Sequence, residues 1–388
     1  MFRDCGSRFV SQFEAVLSAE QRRTLRDLAT CRTAALGGHV EACDQCNERR
    51  VAYNSCRNRH CPKCQGTQMA LWLGREASHV LPVEYHHVVF TLPEEIAALA
   101  LVNPRVIYGL LFQASWEALR DVAANPKHLG AEVGVLAVLH TWGQSLQHHP
   151  HVHCVVTGGG LACDPTGAPT TPRRWRWCRP GFFLPVRVLS RVFRGKFLAG
   201  LRSAFEAGQL RFFGAVAELA EAKAFGDWLR PLYAREWVVY AKPPFGGPEV
   251  VLKYLARYTH RVAISNRRLV SWADGVVTFT GKDYARGGRK RSYRLSGTEF
   301  MRRFLMHVLP RGFVKVRHYG LLANRQREQK LAACRWLLGG VRFAPAVEPA
   351  AEARCERRCP VCQRGRLIVV EELPRLPSPR CVPGCDSS

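Results

Sequence analysis

Apolar positions change their period along the chain. At the start Phe9, Phe13, Val16 and Leu17 recur at helical spacing. A dense block of cysteines and histidines then breaks the pattern up to about residue 80. Beyond it, strand-like and helix-like segments alternate. "EYHHVVFTL" is β-branched and aromatic and stops at Pro93, which predicts a strand. "EEIAALALVNPRVIYGLLFQASWEALRDVA" keeps a helical period with a break near Pro104. "GVLAVLHTWG" and "HVHCVVTGG" predict a strand pair joined by a turn around Pro150, and "RLVSWADGVVTFT" a hairpin turning at Asp274-Gly275. After "RFAPAVEPAAEAR", an Ala/Pro/Glu linker, the chain is Arg- and Pro-rich and holds five cysteines from Cys355 to Cys385. Three parts are expected: residues 1–82, residues 83–330 and residues 331–388. No internal repeat is visible.

Charge narrows the choice of partner. The 388 residues include 57 Lys+Arg against 31 Asp+Glu, a formal net charge of +26. From Arg286 to Arg327 there are twelve basic residues and one acidic, Glu299. Such a stripe suits a polyanion, whose counterions are released on binding, so nucleic acid is the expected partner. "RRWRWCRPGFFLP" interleaves aromatics with arginine, which suits base stacking and core packing equally. "MFRDCGSRFV" lacks the apolar run of an export signal, and no stretch approaches the ~18 apolar residues of a membrane span. The expected location is cytoplasmic and nucleic-acid-associated. In a reducing compartment the 16 cysteines read as metal ligands rather than disulfides.

The N-terminal block holds eight candidate zinc ligands: Cys31, His39, Cys43, Cys46, Cys56, His60, Cys61 and Cys64. Cys43/Cys46 and Cys61/Cys64 are CxxC knuckles, and two knuckles close one tetrahedral structural site. The other four suffice for a second ion. Cys359/Cys362, with the looser Cys381/Cys385, offers a third, so one to three structural zinc ions are expected. The arginines between the ligands, among them Arg49, Arg50, Arg57 and Arg59, suit DNA.

On a strand, His151 and His153 point to one face and Val152 to the other. Two such imidazoles chelate one divalent ion, and His140 on the preceding strand is the expected third ligand, with Gln144 and His149 as runners-up. Three protein ligands leave positions open for water or a phosphate oxygen. Tyr254 and Tyr258 stand at i and i+4, one face of a helix. Beside a metal, a tyrosine hydroxyl is a nucleophile for a phosphodiester. No phosphate-binding GxxxxGK[ST] loop is present.

"CRTAALGGHVEAC", "NSCRNRHCPKC", "HTWGQSLQHHPHVHCVV", "YLARYTHRVAISNRRL" and "VRHYGLL" together resemble the rolling-circle insertion-sequence transposases of the HUH superfamily. The match is to the two-tyrosine family with an N-terminal zinc-binding domain, related to the ISCR elements, and it runs to about residue 340. The resemblance implies an α+β fold: an HUH endonuclease domain, an antiparallel sheet flanked by helices, preceded by a small zinc-binding domain. It implies His151 and His153, completed by His140, around Mg or Mn, with Tyr254 and Tyr258 as nucleophiles. The partners implied are single-stranded DNA at transposon ends and target DNA, without a membrane. Arg257, His260, Arg261, Arg289, Lys290 and Arg291 are candidate phosphate contacts. Alternatives are a replication initiator or relaxase of the same chemistry, a hydrolytic zinc nuclease, and a non-catalytic zinc-finger regulator.

Overall fold

The computed structural model describes residues 1–162, 174–245, 250, 263–283, 287–339 and 358–376. Two amphipathic helices open it, α1 (Phe2–Phe13) and α2 (Ala19–Thr30). Ser18 caps α2 reciprocally: its hydroxyl accepts from the Gln21 amide, and the Gln21 side chain accepts from the Ser18 amide. A hairpin, β1 (Gly38–Cys43) and β2 (Arg49–Tyr53), follows, then α3 (Gln65–Ala77).

The central layer is a six-stranded antiparallel sheet. It is built from β3 (Tyr85–Thr91), β4 (Ala131–Trp142), β5 (His148–Ala162), the short β6 (Trp175–Trp177), β7 (Val239–Phe245) and β11 (Val316–Gly320). Its order is β11-β4-β5-β3-β7, with β6 on β5. Alternation along β5 decides what each face does. Val152, Cys154 and Val156 join a core with α4 (Glu95–Val102), α5 (Pro104–Ala124), α6 (Val186–Glu206) and α7 (Ala222–Ala234). Val155 lies on the opposite face, in a smaller core with Leu136, Val138 and residues of α9 (Arg327–Leu337). His151 and His153 share that second face.

The expected α+β arrangement of helices on an antiparallel sheet is what the chain forms. The turn between β4 and β5 is displaced from expectation: it spans Gly143 to Gln147, where the Gly143 amide donates to the Gln147 carbonyl at 3.0 Å. Pro150 is instead inside β5, in a register shift that pairs His140 with His151 but Trp142 with His148. The proline, which has no N–H to donate, falls at this bulge, where the ladder is already interrupted.

A second antiparallel sheet is a meander of β8 (Leu269–Ala273), β9 (Val276–Asp283) and β10 (Arg289–Ser296). The hairpin turns at Asp274 and Gly275, both at positive φ (50° and 71°), the backbone that an Asp-Gly turn supplies at least cost. With α8 (Gly297–Leu305) this sheet buries Phe9, Leu17 and Leu25 beside Phe279, Phe300 and Phe304. A third sheet adds β12 (Leu367–Leu373) to β1 and β2. Packing therefore crosses the boundaries expected after residues 82 and 330. Among the described residues, no helix is long and apolar enough to cross a membrane.

Candidate metal centre

Three histidines converge where β4 and β5 run side by side. His140 pairs directly with His151, and His153 with Val138, so all three rings leave the same face. One nitrogen from each of His140, His151 and His153 lies within 4.8 Å of the others. Ring centroids are 4.4 Å apart for His140 and His153, and 4.9 Å for His151 and His153. Val152 between them is fully buried on the helix side and anchors the strand.

Hydrogen bonds orient the rings. The Nδ1 of His151 is 2.7 Å from the His149 carbonyl, which only accepts, so Nδ1 carries the hydrogen and Nε2 keeps a free lone pair. The Nδ1 of His153 lies 2.8 Å from Nε2 of His87, a bond that fixes the orientation of its ring. Trp142 stacks on His140 at 4.4 Å. Burial pushes His151 down to about 4 and, with the neighbouring His140, holds His153 well below the usual histidine range. Neutral imidazoles are the ligand form, so this donor set fits a divalent ion.

His87 went unrecognised in the sequence. It is on β3, whose alternation puts Tyr85, His87 and Val89 on the histidine face, and that alternation was the available signal. Burial, then the charge of exposed Lys242 paired with it on β7, pushes it down to about 3. The runners-up stand aside. Gln144 accepts from the Lys282 amide through Oε1, and His149 is exposed, serving through its carbonyl. Tyr254, Arg257, Tyr258, His260 and Arg261 lie outside the described residues, as do Cys381 and Cys385.

The cysteines regroup. The two N-terminal knuckles do not share one centre: Cys61 and Cys64 meet Cys31 and Cys56, while Cys43 and Cys46 meet Cys359 and Cys362. Sγ separations in the first group are 3.4 to 3.7 Å. A tetrahedral Zn–S₄ site has an edge of about 3.8 Å. Four thiols complete each set, so the expected ligands His39 and His60 are not needed. His39 pairs with Glu41 at 3.2 Å. His60 is a satisfied core residue: Nδ1 donates to Asn58 Oδ1 at 3.0 Å and Nε2 accepts from the Leu309 amide at 3.2 Å. Next to it, Arg59 donates to the carbonyls of Leu309, Pro310 and Phe313, which seats the cysteine block on this segment.

"RHYGLL" has a structural explanation. Arg317 lies over the Phe112 ring at 4.3 Å, and Tyr319 stacks on Trp116. His318 donates to Glu76 of α3 at 3.0 Å. Gly320 has φ 60°, and a Cβ there would collide with the Val133 carbonyl. The basic stripe also divides. Arg302 and Arg303 are tied to Glu299, while Arg289, Lys290 and Arg294 of β10 are exposed; Arg291, also exposed, reaches Asp283 at 3.3 Å.

A family described as "Putative transposase" matches residues 134–330, and one described as "Transposase zinc-binding domain" matches residues 1–92. The chain is 54% identical over 381 residues to "Putative transposase y4qJ" of Sinorhizobium fredii (strain NBRC 101917 / NGR234), covering 96% of this chain and 94% of that protein. It is 28% identical over 319 residues to "Transposase for insertion sequence element IS801" of Pseudomonas savastanoi pv. phaseolicola, covering 78% of this chain and 70% of that protein. No solved structure matches.

Proposed function

The chain belongs to the Y2_Tnp family of transposases and carries their IS91-type zinc-binding domain, and from that premise we propose that it nicks and transfers single-stranded DNA ends of an insertion sequence by tyrosine attack. The observation that carries this reading is the convergence of His140, His151 and His153 on two adjacent central strands. These residues would hold Mg²⁺ or Mn²⁺, which when bound draws charge from the scissile phosphate.

The remaining work belongs to the chain. Tyr254 or Tyr258 supplies the attacking phenolic oxygen. Its bond to phosphorus forms as the bond from phosphorus to the 3′-oxygen breaks, and that oxygen takes up a proton. A 5′-phosphotyrosine and a free 3′-OH result, so the phosphodiester energy is retained and no nucleotide cofactor is required. The second tyrosine lets one end stay bound while another is attacked. His87 and the His149 carbonyl hold the His153 and His151 rings in place through Nδ1. Arg289, Lys290 and Arg291, with Arg257 and Arg261, neutralise the DNA backbone. On this reading residues 83–330 carry the strand transfer and residues 1–82 the structural zinc, held by Cys31, Cys56, Cys61 and Cys64.

Covalent trapping tests the reading. Purified protein, Mn²⁺ and labelled single-stranded oligonucleotides spanning the element's ends are resolved on denaturing gels. A labelled band at protein size is expected, absent in Tyr254→Phe/Tyr258→Phe and in His151→Ala. No adduct on any end, or one that survives the double Phe variant, rejects it.

A further inference from the structure

We infer that Cys43, Cys46, Cys359 and Cys362 bind a second structural zinc, one that clasps the C-terminal strand onto the N-terminal zinc-binding domain across the whole transposase region. The thiols of Cys43 and Cys362 are 3.6 Å apart, and those of Cys46 and Cys359 are 3.7 Å apart. Both are near the edge of a zinc–thiolate tetrahedron and far from the roughly 2.05 Å of a disulfide.

The two knuckles are built alike. In each, the residue after the second cysteine is left-handed, Asn47 and Gln363 both with φ 56°. In each, that residue's amide donates to the first cysteine's carbonyl, at 3.2 Å from Asn47 to Cys43 and 2.9 Å from Gln363 to Cys359. Backbone amides also point at sulfur: Gln45 to Cys43 at 3.4 Å and Gly365 to Cys362 at 3.3 Å. Such donors stabilise thiolates over thiols. Between the knuckles, the Arg366 amide donates to Asp44 Oδ1 at 2.8 Å and the Asp44 amide to the Arg366 carbonyl at 3.1 Å. Gly365 leaves room for this approach, since a Cβ there would strike Cys43 Sγ.

The metal has a task that packing does not perform. Cys46 and Cys359 are separated by 313 positions, so joining them carries a large loop-closure entropy. The strand that follows, β12, pairs with β1 from Gly38↔Leu373 to Cys43↔Leu367 but stays largely exposed, with Val369 58% accessible. Backbone pairing with so little apolar burial is marginal for an edge strand. Metal–thiolate bonds are strong enough to hold it.

Two measurements test the clasp. First, zinc is counted by mass spectrometry on full-length protein after brief EDTA treatment. Two ions per chain are expected, falling to one in Cys359→Ser/Cys362→Ser and staying at two in Cys381→Ser/Cys385→Ser. One ion in the wild type, two retained without Cys359 and Cys362, or a loss on removing Cys381 and Cys385, overturns the inference. Second, should the serine variant fold poorly, a protease site is placed in residues 343–352 of an otherwise unaltered chain. After cleavage, the C-terminal fragment should co-elute with the remainder on size exclusion and leave only when a strong chelator strips zinc. A fragment that leaves with zinc present, or stays once it is gone, overturns it equally. Neither readout depends on strand transfer.

Discussion

The three-histidine cluster and the two four-cysteine clusters are opposite solutions to gathering ligands. The histidines come from positions 140 to 153, on two strands joined by a short turn, and offer three nitrogens. The cysteines come from as far apart as positions 43 and 362 and offer four sulfurs in each set. Three ligands leave an ion open to a substrate, whereas four close it. Backbone pairing within one sheet sets the histidine geometry, while each cysteine set joins segments that are distant along the chain. On the proposed reading, the contrast predicts that activity and architecture respond differently to chelation.

The sharpest break of that contrast is selective metal removal. Millimolar EDTA, applied briefly, should abolish strand cleavage by about 1,000-fold, as expected when charge stabilisation worth several kcal/mol is lost. Mn²⁺ or Mg²⁺ should restore it, with zinc content unchanged by mass spectrometry. Cleavage that persists in EDTA, or zinc that departs along with the activity, would erase the distinction between the two kinds of centre.

A finer probe is His87→Phe. It removes the hydrogen bond to His153 Nδ1 without touching the three ring nitrogens that converge. Loss of such a supporting partner weakens metal affinity by about 10–100-fold. Cleavage should therefore require more Mn²⁺, with the maximal rate largely recovered at saturation. An unchanged Mn²⁺ titration would show that the sheet alone orients His153.

The smallest effect concerns Glu76, which joins α3 of the cysteine block to β11. Burial opposes its ionisation, but hydrogen bonds from His318 and His79 outweigh that and hold it at about 2. A folded value below the ordinary 4.5 means stability fully present above about pH 4.5 and lost as pH falls toward 2. Glu76→Gln should lower unfolding stability by about 2 kcal/mol at pH 7 and flatten its acid dependence in that window. Denaturant titrations at pH 7 and pH 3.5 check both. Equal acid sensitivity in the two proteins would assign the effect elsewhere.

The sequence by itself determined whatever repeats at short range. Alternation placed His151 and His153 on one face, the Asp-Gly pair marked its hairpin, and the short separation of His140 from His151 made it a candidate to face them from the preceding strand. These follow because strand period and turn chemistry act over a few residues. Only the tertiary structure decided the partners of each knuckle, the retirement of His60 into the core, the bond from His87 to His153, and Arg317 lying over Phe112. Spacing says that Cys43 and Cys46 turn together, but nothing in it says which other pair they meet. That choice is legible only once the folded chain sets β12 beside β1, an approach across hundreds of residues whose closure entropy opposes it and must be offset by contacts that spacing does not report.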